Sequence, residues 1–358
     1  MDGSIIDIML FAPLATILGV LLFWFIQLLF IQGQKYLLEK IRKKHEPFCR
    51  FTNYLGILFQ TICQALGYTV TKRGISDIYV SVNYGKVAPK KQKKGIFEWI
   101  SNAFLLIGPF FIPAFLLLIC LFFILKNGFD TTIPAHLLEL NYTFGGQLTI
   151  FGTNLYEFTS SFLNFLANID LFHPVHLGFL FLLIFLGLGI RPSYLGEKKI
   201  DKIDILYELK NIWQLIIYKP AYIVSLFLIS YSFFYLSLLL DKGFYATLFS
   251  VFGWLSIISI VALFLTYLII LFIFSIDKIE GRKKIIPYII IPTSYILSRV
   301  LFIYLPTDMD KSMSLMIMIL LTILVIYLLK KPKGDKFKTE RKIKRLKEKS
   351  EGEEQDER

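Results

Sequence analysis

Residues 244–276 run for 33 positions without a charged side chain. At 1.5 Å per residue, a helix that long exceeds the roughly 30 Å hydrocarbon core of a bilayer, which needs only about 20 apolar residues. The run is too long for a strand and too apolar for a helix with one face in water. It is not isolated. Further apolar stretches lie near 4–31, 98–125, 170–190, 212–240, 285–305 and 312–330. Of the 358 residues, 55% are hydrophobic and only 18% charged, with a mean hydropathy of +0.61. That is too little charge to cover a soluble domain and too much apolar content for a disordered chain. The chain reads as an all-α polytopic membrane protein with about seven transmembrane helices. Its integral membrane domain spans 1–330, and a charged tail spans 331–358.

The formal charge of +12 comes without any nucleic-acid motif, so it points to membrane orientation rather than to nucleic acid. Basic residues cluster at 35–50, 70–97, 191–210, 282–284 and in the tail. Segment 126–169 holds one lysine, Lys126, against Asp130, Glu139 and Glu157. If 51–69 does not cross, every basic cluster falls on one side. The N-terminus is then outside and the tail cytoplasmic, the arrangement expected of a multi-pass protein of the cell membrane. Segment 51–69 carries Asn53, Gln60, Gln64 and three threonines, and reads as a half-inserted helix. The acidic flank Asp2 and Asp7 marks the first run as a permanent span rather than a cleaved signal. Alternation over Ile78–Gly85 reads as a small interfacial β-hairpin. Gly145, Gly146 and Gly152 suggest turns between short strands in an outside loop, where Asn141-Tyr142-Thr143 forms a glycosylation acceptor pattern.

Polar residues at the spans are the first places to look for function. Lys219 precedes Pro220, which frees a backbone carbonyl, so the lysine either meets an acidic ligand there or snorkels to the interface. Arg299 lies close to Asp308 and Asp310, either of which could pair with it. His173 and His176 share a helix face, but no third ligand is evident, so no metal site is read. Trp99, Trp213, Tyr218, Tyr222 and Tyr304 read as an aromatic belt. Cys49, Cys63 and Cys120 lack any CxxC pairing and read as buried thiols.

One string stands apart: Gln60-Thr61-Ile62-Cys63-Gln64-Ala65-Leu66-Gly67. It resembles the His-Glu-x-x-His-Ala-Leu helix of the site-2-protease-like membrane zinc metalloproteases. The resemblance implies that Gln60 and Gln64 stand where that family has its zinc-binding histidines, and Thr61 where it has the glutamate base. Gly108-Pro109 and Arg191-Pro192-Ser193 extend the likeness, with Asp201 and Asp204 where a third ligand would fall, so that about residues 50–210 are covered. The departures imply a member without zinc hydrolysis. Glutamine amides are poor zinc ligands, and a threonine is no general base. The family's metal helix also crosses the membrane, whereas charge keeps 51–69 from crossing here.

Three functional classes follow. The first is a catalytically inactive relative that holds a membrane-protein client in the old groove, with Gln60, Thr61 and Gln64 lining it and no cofactor. The second is a transporter or lipid-handling protein using Lys219 and Arg299. The third, an active enzyme, is disfavoured because no Asp or Glu lies within the apolar parts of the spans beyond their end turns.

Overall fold

The computed structural model describes residues 3–92, 94–125, 142–192, 205–240, 243–303 and 310–330. It divides into two units, one up to Leu271 and one from Phe272 onward.

A single helical turn α1 (Gly3–Ile6) and a π-helical turn over Asp7–Phe11 lead into α2 (Ala12–Ile41). Pro13 sits at the start of α2, where its missing N–H has no helical partner to lose. α2 continues ten residues beyond the expected span, taking Lys35 and Lys40 into the helix. α3 (Glu46–Val70) likewise opens on a proline, Pro47. It is longer than the expected 51–69, and strongly amphipathic. Lys72 and Gly74, both at positive φ, turn the chain out of α3 into an antiparallel hairpin of β1 (Ile75–Val80) and β2 (Gly85–Pro89). The alternating run therefore contains the turn: Ser81 and Tyr84 close it by a backbone bond of 3.0 Å.

The expected span 98–125 is broken. α4 (Ile96–Leu106) and α5 (Gly108–Leu125) meet at 68°. Pro109 has no N–H to give to Leu105, and the Phe110 N–H bonds Ile107 O at 3.1 Å instead of Leu106 O. Segment 144–167, expected as turns and short strands, is instead the helix α6 (Phe144–Ala167). The glycines misled the reading because Phe151, Phe158 and Phe162, all buried, supply a helical apolar stripe that outweighs them. Thr143 caps this helix, its hydroxyl accepting from Gly146 N at 3.1 Å. Asn141 lies outside the described residues.

α7 (Pro174–Gly189) has 16 residues, somewhat short for a crossing. The expected span 212–240 divides at Pro220. The residue before a proline is driven out of the helical region, and Lys219 sits at φ −147°, ψ 74° between α8 (Ile205–Tyr218) and α9 (Pro220–Leu239). α10 (Phe244–Ile276) belongs to the first unit as far as Leu271. Phe110, Leu121, Phe158, Phe162, Leu183, Trp254 and Ile258 form the unit's main core, with Phe158 and Trp254 stacked at 5.3 Å. α2 and α10 run parallel. The Tyr245 hydroxyl donates to Pro13 O at 2.6 Å, and the Gln34 amide to Thr266 Oγ1 at 2.5 Å, both pairs being 232 residues apart.

The second unit holds the last turn of α10, a 3-10 turn at Gly281–Ile285, α11 (Ile286–Ile303) and α12 (Asp310–Leu329). Among the described residues, five helices are long and apolar enough to cross a membrane, or six if the bent pair counts as one span. The seven expected spans thus resolve into five long helices, one bent pair and the short α7. The tail 331–358 lies outside the described residues.

Candidate functional site

A cleft of about 770 Å³ opens in the first unit between α3, α4, α8 and the end of α7. Gln60, Glu98, Asn102, Asn211 and Gln214 are among its polar lining. Each element reaches it for a local reason. α3 comes close to the chain after α7 because Gly56 carries no side chain; a Cβ there would overlap Pro192 N and Arg191 C. α4 is fixed to α8 by Trp99, whose indole donates to Leu215 O at 3.1 Å. Trp99 is thus a buried internal clamp rather than part of an aromatic belt.

The three motif residues do not act as one set. Gln60 lines the cleft. Thr61 is buried and donates to Ile57 O at 2.7 Å, with Gly85 of the hairpin pressed onto its hydroxyl so closely that no Cβ would fit. Gln64 donates to the Tyr68 hydroxyl at 3.1 Å. Gln60 and Gln64, four residues apart, share the helix face. Only Gln60 is committed to the cleft. Asp201 and Asp204 lie outside the described residues.

The floor of the cleft is a feature the sequence reading missed. Arg191 and Glu208 form an ion pair of 3.0 Å, with their side chains 1% and 3% exposed. The guanidinium also donates to Leu106 O, the carbonyl released where α4 breaks from α5, and lies over the Phe110 ring at 4.8 Å. Arg191 therefore caps the broken helix and pins α8 to it. Two signals were available. Arg191 ends an apolar run, Leu186-Gly187-Leu188-Gly189-Ile190. On a helix, Glu208 falls on the same face as Ile205, Ile212 and Leu215, so an acid stands among apolar side chains.

The other polar candidates do not join the cleft's floor. Lys219 is exposed, with its ammonium over Tyr218 at 5.6 Å, which fits a snorkelling lysine. Arg299, in the second unit, pairs with Asp310; Asp308 lies outside the described residues. The His173 and His176 rings are 4.7 Å apart, and the His176 Nδ1 accepts from Asp170 N at 3.1 Å. Among the described residues, no group of three or more His, Cys, Asp or Glu is placed to hold a metal ion. Cys49 and Cys63 are buried free thiols, as read, and Cys120 is partly buried.

Chemically, the cleft offers amide donors and acceptors, one half-buried carboxylate at Glu98 and a neutralised ion pair. Such a surface hydrogen-bonds to a ligand without needing to polarise it. Comparison of the chain with protein-family models, with curated proteins and with solved structures finds no match.

Proposed function

We propose that this is a multi-pass protein of the cell membrane that holds a membrane-protein client in the cleft bounded by Gln60, Asn102, Gln214 and the Arg191–Glu208 pair. In this reading it is a catalytically inactive relative of the site-2-protease-like enzymes. The observation that carries it is that Gln60, the first residue of the Gln-Thr-x-x-Gln string, lines the cleft beside a buried ion pair. An amide in that place hydrogen-bonds a peptide group but is a poor zinc ligand. In the same reading the hairpin 75–89 and the tail are cytoplasmic and the N-terminus outside, which the distribution of basic segments supports.

The test is photocrosslinking in cells of the native host. A photoreactive amino acid at Asn102 or Gln214 yields discrete adducts with membrane proteins, whereas one at Leu228, which is 64% exposed on α9, does not. Adducts that form equally at Leu228 would overturn the reading. Stoichiometric zinc in the purified chain would overturn its inactive character.

A further inference from the structure

Among the described residues of the first unit, the buried polar atoms without a hydrogen-bond partner include Trp24 Nε1, both amide atoms of Gln27, Arg191 Nε and Ser256 Oγ, with Thr16 Oγ1, Gln32 Oε1 and Asn83 Oδ1 elsewhere in the unit. Gln27 and Ser256 are fully buried. The first four of these residues group around one level of α2 and α10. Between the Tyr245–Pro13 and Gln34–Thr266 bonds, Trp24 falls about level with Ser256 and Gln27 about level with Ser259. Phe110 joins the pieces. Its ring meets Trp24 edge-on at 6.0 Å and carries the Arg191 guanidinium at 4.8 Å, while its carbonyl accepts from Ser259 at 2.9 Å.

Bare buried donors and acceptors are unfavourable, and protein interiors meet them with ordered water where side chains do not reach. Trp24 and Arg191 offer donors only, Gln27 offers both kinds, and Ser256 offers both. The charge of Arg191 is already matched by Glu208, so the set does not require an anion. It requires a small neutral partner that donates and accepts at once. Arg191 also lines the cleft, which gives that partner a way in. We propose that the first unit holds an internal water site behind Arg191, bounded by Trp24, Gln27, Ser256 and Phe110 and filled from the cleft. The site wets the ion pair on its inner side, and it stands whether or not the cleft holds a client.

X-ray radiolytic footprinting of the full chain in lipid nanodiscs tests this, because bound water generates hydroxyl radical in place and labels neighbouring side chains within milliseconds. Trp254 is the internal control: its indole is satisfied by Asn154 O at 3.2 Å and its ring is stacked on Phe158. Trp24 is expected to label several-fold faster than Trp254. Gln27→Leu and, separately, Ser256→Ala are expected to reduce that excess. Ser256→Ala keeps the test decisive if Gln27→Leu does not fold. Labelling of Trp24 no faster than Trp254, or an excess unchanged in the folded variants, would overturn the water site.

Discussion

Removing Glu208 alone should do more damage than removing Glu208 and Arg191 together. The pair is 3.0 Å apart with side chains 1% and 3% exposed, so bulk solvent screens neither charge. Glu208→Leu strands a guanidinium left with the Leu106 carbonyl and the face of the Phe110 ring, and breaking one side of a buried pair costs about 3–5 kcal/mol. Arg191→Met strands the carboxylate and also bares Leu106 O, so its loss should be at least as large. The double variant leaves two apolar side chains of similar volume, and such replacements are neutral or stabilising by about 1–4 kcal/mol, less about 1 kcal/mol or more for the Leu106 carbonyl that loses its donor. The assay is thermal unfolding of the full chain in detergent, read as a double-mutant cycle. At about 2 °C per kcal/mol for a large domain, each single variant falls by about 6–10 °C while the double lies within a few degrees of the parent. Single losses that simply add in the double variant would refute the argument, because they would show that the two side chains do not depend on one another.

Three smaller perturbations follow. Gly56→Ala places a methyl group against the backbone of Arg191 and Pro192; it should cost about 1–3 kcal/mol by overpacking and loosen the cleft, seen as a lower unfolding temperature and faster exchange of the Arg191 backbone amide. Burial pushes the Cys49 thiol up from 9.0 to about 11; only the thiolate reacts, so maleimide should label Cys49 in the folded chain about a hundredfold more slowly than in denaturant at neutral pH. The same shift contributes stability that is fully present below about pH 9 and is lost as pH rises towards 11, because the unfolded chain releases that proton first. Tyr245→Phe removes the donor to Pro13 O, a 2.6 Å bond between α2 and α10, and should cost about 1 kcal/mol, measured by the same thermal assay.

The long apolar helices were legible because their signal is simple. Thirty-three residues of α10 without charge admit few structures. The breaks were only half legible. Pro220 and Pro109 announce that a helix is interrupted, but a proline removes a donor without saying what the orphaned carbonyl then finds. α6 was illegible for a related reason. Its glycines and amides look like turn chemistry in isolation, yet Asn154 gives its side-chain amide to Ser250 at 3.1 Å and its carbonyl to Trp254, partners almost a hundred residues away. Local propensity yields to tertiary bonds that no window of sequence contains.

The same distinction governs the site. The Gln-Thr-x-x-Gln string stands out because its spacing is local, and Gln60 and Gln64, four residues apart, share a face of α3. It could not say that Thr61 is sealed beneath Gly85 or that the cleft's charge comes from Arg191 and Glu208, which seventeen residues separate. Counting basic residues by loop treated Arg191 as one more cytoplasmic cation. A loop cation needs no partner, whereas a buried one must have an acid within reach, and an acid on the apolar face of α8 is the trace such a requirement leaves in sequence. Arg191 and Glu208 therefore had to be read as a pair. Applied to Arg299, the same rule selects an acid beyond its helix, and Asp310 fills that role. Applied to Lys219 it selects none, consistent with a lysine that stays exposed.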